Sequence, residues 1–138
     1  LSWLMDQEWA QHQLLVGGRS AGARVACRTA SVTVPAAIVC LAFPLHLPGR
    51  PEKSRAVELL APSAPRLVLQ GSKDSFGTPE EIRAAIGTAE GVQVVELPGA
   101  DHGYRIAKSS AFTPADLRTP LVAEVCRFIA AAAGISTP

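Results

Sequence analysis

The feature that most constrains this chain is a regular alternation of short apolar runs with segments suited to helices. Four runs have strand length: residues 13–16, "AAIVCLA" after Pro35, "RLVLQG" and "VQVVEL". Helices are expected in the opening "LSWLMDQEWA" and after the four strands, at residues 20–30, 54–60, 78–88 and around Leu117–Ile129. Such alternation predicts the α/β class, a parallel sheet with helices on both faces.

Polar side chains follow the predicted strands at one end of this sheet. Ser20 follows the first strand, His46 the second, Asp74 the third in "QGSKDSFG", and His102 the fourth in "LPGADHGY". Ligands of parallel sheets sit beyond the carboxyl ends of the strands. We therefore expect a hydroxyl, a carboxylate and an imidazole to meet at one edge.

These residue types fit nucleophilic catalysis. A serine hydroxyl needs a base within hydrogen-bond reach, and an imidazole needs a carboxylate that fixes its tautomer. In "GGRSAGA", Gly18 and Gly22 suit a serine on a tight strand-to-helix turn, where neighbouring β-carbons would clash. The Ala21 N–H, at the start of the following helix, is the predicted oxyanion donor.

Each of these residues also has a simpler interpretation. Ser20 could be a small residue that fills a glycine-rich bend, and Asp74 a turn-forming residue before a glycine. Asp101 is a weaker candidate for the acid, because a residue adjacent to the histidine usually points elsewhere. The Gly-flanked loop around His102 disfavours a packed core histidine.

Three further side chains are candidates for substrate binding. His46, in "FPLHLPG", either lines the pocket from the second loop or is structural. Arg19 and Arg24 either bind an anionic group or are solvated residues at a helix end.

Composition excludes several functional classes. The net charge is +1 with both signs spread along the chain, so neither nucleic acid nor a membrane is an expected partner. Cys27, Cys40 and Cys126 lie in apolar segments, which predicts buried, reduced thiols in a cytoplasmic protein. No metal or organic cofactor is implied.

The order Ser…Asp…His on this pattern resembles the α/β-hydrolase superfamily. More closely, "GGRSAGARVA", "FPLHLPGRPEKSR", "LVLQGSKDSFGTPEE" and "GADHGY" resemble a subgroup related to dienelactone hydrolases. That subgroup includes a testis-expressed protein and a subunit of the nonspecific-lethal acetyltransferase complex. The resemblance implies Ser20 as nucleophile, Asp74 as acid and His102 as base. A serine in place of the cysteine of dienelactone hydrolases argues against thiolate chemistry.

The same resemblance implies that residues 1–138 form one partial domain. A complete hydrolase of this superfamily has about eight strands, so these four would be its C-terminal part. The strand at residues 13–16 would then be central in the complete sheet. Its open edge predicts instability or self-association.

The sequence thus predicts a serine hydrolase that cleaves a small ester or related acyl compound. A non-catalytic scaffold with the hydrolase fold is the alternative. A peptidase or a thioesterase would share the same three residues.

Overall fold

The computed structural model of the chain describes residues 14–30, 32 and 34–134. Strands and helices alternate along them in eight elements: β1 (Leu15–Arg19), α1 (Ala21–Ala30), β2 (Ala37–Leu41), α2 (Ala56–Leu60), β3 (Arg66–Gly71), α3 (Pro79–Ile86), β4 (Val92–Leu97) and α4 (Pro114–Ala132). The predicted helix in residues 1–10 lies outside the described residues, as does the first residue of the strand predicted at residues 13–16.

The described strands form one parallel sheet in the order β1-β2-β3-β4. Because every strand runs the same way, all their carboxyl ends lie along one edge. This confirms the predicted fold class and places the loops after β1, β3 and β4 at the same end of the sheet.

Two apolar clusters cover the two faces of the sheet. On one face, the small side chains of α1 let that helix approach the sheet closely; the cluster includes Ala23, Ala26, Cys27, Ile38, Cys40, Phe43, Leu59, Val68 and Ile82. The other face packs against α4 and holds Leu67, Leu69, Leu97, Ala100 and Leu117. All six residues of β3 are buried, including the polar Arg66 and Gln70, because this strand has a neighbour on each side and helices over both faces.

The first strand differs from its predicted bounds. It runs from Leu15 to Arg19 and so includes the two glycines that we expected to lie beyond it. A β-carbon at Gly17 would lie 2.8 Å from the Val39 carbonyl oxygen, so a glycine at this position lets β1 pair closely with β2. The glycines therefore extend the strand to the turn.

Capping residues define where two helices begin. Thr78 accepts a hydrogen bond from Glu81 N, and its own N–H donates to Glu81 Oε2, so these two residues form a capping box at the start of α3. A second box, between Thr113 and Asp116, begins α4 and was not predicted.

One prediction about the cysteines is wrong. Cys27 and Cys40 are buried, but Cys126 is exposed, because it lies on a solvent-facing part of α4. An apolar neighbourhood in the sequence does not bury a residue when a single face of the helix meets the sheet.

In the part of the chain that the structure describes, no helix has the length and apolar character that a membrane span requires.

Candidate active site

Ser20 occupies the turn between β1 and α1. Its φ is +53°, a left-handed conformation that residues with a side chain rarely adopt. Backbone bonds fix the turn on both sides: Ser20 N donates to Leu41 O at 2.9 Å, and Ala23 N donates to Ser20 O at 3.0 Å. The hydroxyl therefore stands at the carboxyl edge of the sheet.

The two glycines that flank Ser20 have different roles. A β-carbon on Gly18 would lie 2.3 Å from Gly22 C and 2.4 Å from Gly22 O, so the turn needs a glycine at position 18. A β-carbon on Gly22 would meet no other described atom within 4 Å. The expectation that Gly22 is also sterically required is wrong, because the crowding involves the backbone of Gly22 and not its missing side chain.

The structure brings Ser20, His102 and Asp74 together. Ser20 Oγ lies 2.8 Å from His102 Nε2, and His102 Nδ1 lies 2.8 Å from Asp74 Oδ2 and 3.0 Å from Oδ1. A carboxylate can only accept, so Nδ1 carries the proton, and in the neutral ring Nε2 accepts from the serine hydroxyl. This arrangement can remove a proton from Ser20.

Asp74 is buried and hydrogen-bonded. Its side chain is fully buried, whereas that of His102 is 21% exposed. Phe76 N donates to Oδ1 at 2.8 Å, and Gln70 Nε2 donates to Oδ2 at 2.8 Å. The Phe76 ring also packs on the His102 ring, with centroids 4.2 Å apart. Gln70 was not predicted as part of the site, although an uncharged polar residue at the end of the largely apolar "RLVLQG" is a usable signal.

The loop that carries His102 is fixed by its neighbours. Asp101 Oδ1 accepts from Gly103 N at 2.7 Å and from Arg105 N at 2.8 Å, so this carboxylate shapes the loop. Tyr104 donates its hydroxyl to Leu69 O at 2.6 Å, and burial raises the pKa of its phenol above the usual range. The loop is thereby anchored to β3, next to His102.

The two candidate arginines are engaged within the protein. Arg19 Nη2 donates to His102 O at 2.9 Å, which joins the residue before the serine to the histidine loop. Arg24 forms a bidentate pair with Glu58, at 2.8 Å and 2.6 Å, that connects α1 to α2. Both side chains therefore connect parts of the protein to one another.

His46 lines a different part of the molecule. Its Nδ1–H donates to Leu47 O at 2.9 Å, and its Nε2 lies 3.6 Å from Glu81 Oε1. The ring borders a cavity of about 350 Å³ with Leu45, Pro51, Ser54, Glu81, Ala84 and Ala85. The ring therefore lies beside α3, and the role of His46 in substrate binding stays a prediction.

Ala21 lies at the first position of α1, directly after Ser20, and is exposed. The first N–H groups of a helix have no acceptor within it, so the Ala21 N–H is free of intrahelical bonds. Within residues 14–30, 32 and 34–134, no group of three His, Cys, Asp or Glu side chains is arranged to hold a metal ion. The side chains that meet at the site are the Ser20 hydroxyl, the His102 imidazole and the Asp74 carboxylate.

Comparison with known families gives one broad match. The family described as an alpha/beta hydrolase domain matches residues 2–130 of this chain. No curated protein matches the sequence.

Several solved structures are similar to the chain. One is a serine hydrolase without a lid from Xanthomonas campestris, with 25% identity and a TM-score of 0.62 over 92% of this chain and 52% of that one. Another is a serine hydrolase homologue from Coxiella burnetii, with 24% identity and a TM-score of 0.58 over 73% of this chain and 46% of that one. A third is a thermophilic esterase from Thermogutta terrifontis, with 18% identity and a TM-score of 0.58 over 94% of this chain and 69% of that one. The chain thus spans about half the length of the first two.

Proposed function

The chain belongs to the alpha/beta hydrolase family, and from that premise we propose that it is a serine hydrolase of small esters or related acyl compounds. The observation that carries the proposal is the unbroken series of hydrogen bonds from Ser20 through His102 to Asp74. The similar structure from Xanthomonas campestris, at 25% identity, is described as a serine hydrolase. A hydroxyl with a base and an orienting carboxylate is the arrangement that acyl transfer needs.

In the proposed mechanism Ser20 Oγ attacks the acyl carbon while His102 Nε2 takes its proton. Asp74, bonded to Nδ1–H, stabilises the imidazolium that forms. His102 then protonates the leaving alcohol, which leaves an acyl group on Ser20, and a water molecule activated by the same ring hydrolyses it. The Ala21 N–H stabilises the oxyanion in both steps.

Labelling with a fluorophosphonate tests the nucleophile. The 138-residue chain should react at one serine, and Ser20→Ala should abolish the label, because the hydroxyl is the attacking atom. Ser54→Ala is the matched control: this exposed serine only accepts a bond from Ala56 N, so its loss should leave labelling unchanged. Ester hydrolysis that survives Ser20→Ala would move the activity to another site.

Substitutions of two aspartates, Asp74 and Asp101, test which carboxylate orients His102. Asp74→Asn should slow turnover by about 10⁴-fold, because the amide favours the wrong tautomer of His102. Asp101→Asn should have a much smaller effect, since Asp101 contacts backbone N–H groups of its own loop. Equal losses in the two variants would show that Asp74 has no special role.

One observation favours a second candidate, a non-catalytic binding domain with the hydrolase fold. The chain spans 52% and 46% of two similar hydrolases, and the elements that complete their sites can include a second oxyanion donor. A folded chain that fails to react with fluorophosphonate, alone and when joined to the preceding half of a hydrolase domain, would support this candidate.

Three finer assignments belong to the same proposal. The four motifs named above support membership of the subgroup related to dienelactone hydrolases, and the four strands would form the C-terminal part of the fold. The free thiols of Cys27, Cys40 and Cys126 support a cytoplasmic location. Fractionation of cells that express the tagged protein checks the location directly.

A further inference from the structure

Gln70 is a fully buried polar side chain at the end of β3, one residue from the strand terminus. Its Nε2 lies within hydrogen-bond distance of three oxygens: Asp74 Oδ2 at 2.8 Å, Gly77 O at 2.7 Å and Phe43 O at 3.2 Å. One amide group thus joins the carboxylate, the end of its loop and the loop after β2.

The surroundings determine how this amide is oriented. All three neighbours of Nε2 are acceptors, two carbonyls and one carboxylate, so the NH₂ group must face them. Gln70 Oε1 is left buried without a partner among the described residues. An unsatisfied buried acceptor destabilises the folded state, which a methionine or leucine filling the same space would avoid. The position therefore carries a cost that space-filling does not explain.

The contact with Asp74 supplies a functional reason to keep a glutamine at this position despite its unsatisfied oxygen. The two oxygens of this carboxylate receive four contacts: His102 Nδ1 approaches both, Phe76 N reaches Oδ1, and Gln70 reaches Oδ2. Phe76 N belongs to the same short loop as Asp74, whereas Gln70 projects from the rigid central strand. The donor on the strand fixes the plane of the carboxylate relative to the sheet that also carries Ser20.

We propose that Gln70 is a positioning residue that sets the orientation of the Asp74 carboxylate, and through it the His102 ring. The kinetic part of this inference rests on the proposed hydrolase function; the structural part does not.

Two near-isosteric substitutions test the role. Gln70→Met removes the donor and keeps the volume, and Gln70→Glu puts an acceptor against Asp74. Labelling of Ser20 by fluorophosphonate should slow by about tenfold in the first and by about 100-fold in the second, because small misplacements of a catalytic group are costly. Gln93→Met, on the exposed part of β4, is the control and should change nothing. In an Asp74→Asn background, Gln70→Met should have no further effect, which a merely structural role would not produce.

A proton NMR measurement separates this inference from the proposed function. The resting protein should show a low-field Nδ1 proton of His102, and Gln70→Met should shift or broaden it whether or not Ser20 reacts. If the Gln70 variants do not fold, the side-chain amide protons of Gln70 in the otherwise unchanged chain should move on Asp74→Asn. An unchanged His102 proton and unchanged labelling in Gln70→Met, or unmoved Gln70 amide protons in Asp74→Asn, would overturn the inference.

Discussion

The backbone of Ser20 is strained, and neighbouring residues hold it in that conformation. A left-handed residue with a side chain costs about 1–3 kcal/mol, and such positions persist where the surroundings hold them in place. Ser20 is held by Leu41 O and by the first turn of α1, and the turn closes because Gly18 has no β-carbon. The left-handed conformation directs the hydroxyl out of the carboxyl end of the sheet, where it contacts His102.

The two glycines of this turn provide a matched pair of variants. Gly18→Ala should destabilise the fold by about 3 kcal/mol, because its β-carbon overlaps the backbone of Gly22. Gly22→Ala should stabilise the fold by about 0.5–1 kcal/mol, because it adds a better helix former in open space within α1. Thermal and urea unfolding measure both. Equal losses of stability would mean that the close approach of the two glycine backbones is not what limits position 18.

The sequence predicted strand bounds correctly where they depend on neighbouring residues in the chain. The bounds of β3 and β4 match "RLVLQG" and "VQVVEL", since both runs are rich in the valine and leucine that suit strands. The end of β1 was predicted wrongly, because whether Gly17 continues a strand depends on the distance to Val39 across the sheet. The carboxyl-edge rule placed Ser20, Asp74 and His102 at one end of the sheet, but the role of Gln70 depends on side-chain directions that no periodicity encodes.

The ion pair between α1 and α2 depends on such long-range placement and makes stability depend on pH. The hydrogen bonds from Arg24 lower the pKa of the Glu58 carboxyl below its ordinary value. A carboxyl with a lowered folded-state pKa contributes stability above its unfolded value of about 4.3, and this contribution disappears as the pH falls through the folded-state value.

Glu58→Gln should therefore lower the free energy of unfolding by about 1 kcal/mol at neutral pH. The difference from the parent chain should shrink as the pH falls below about 4, where Glu58 of the parent becomes neutral too. Glu80→Gln is the control, because the exposed Glu80–Arg83 pair is 3.6 Å long and should contribute little. Urea unfolding between pH 3 and pH 7 measures both variants. A Glu58→Gln effect that is constant over this range would contradict the assignment.

At the scale of the whole molecule, the described sheet has β1 at one edge. Among the described residues, β1 pairs with β2 on one side, and its other side has backbone N–H and C=O groups without a strand partner. On the face that packs against α4, side chains are also less buried toward β1. Leu67 and Leu69 of β3 are fully buried, whereas Val39 and Leu41 of β2 are only partly buried on the same face. Unpaired edges of this kind recruit other strands.

We therefore expect the 138-residue chain to self-associate through β1, and size-exclusion chromatography with light scattering to report a mass above that of one chain. Leu15→Lys should shift the protein toward the monomer, because a charged side chain on an edge strand opposes strand addition. Val122→Lys is the matched control: it places the same charge on an exposed apolar position of α4, away from the edge, and should leave the mass unchanged. A parent chain that is monomeric and unfolds sharply would show that the edge of β1 is already covered, and the proposed association would then be wrong.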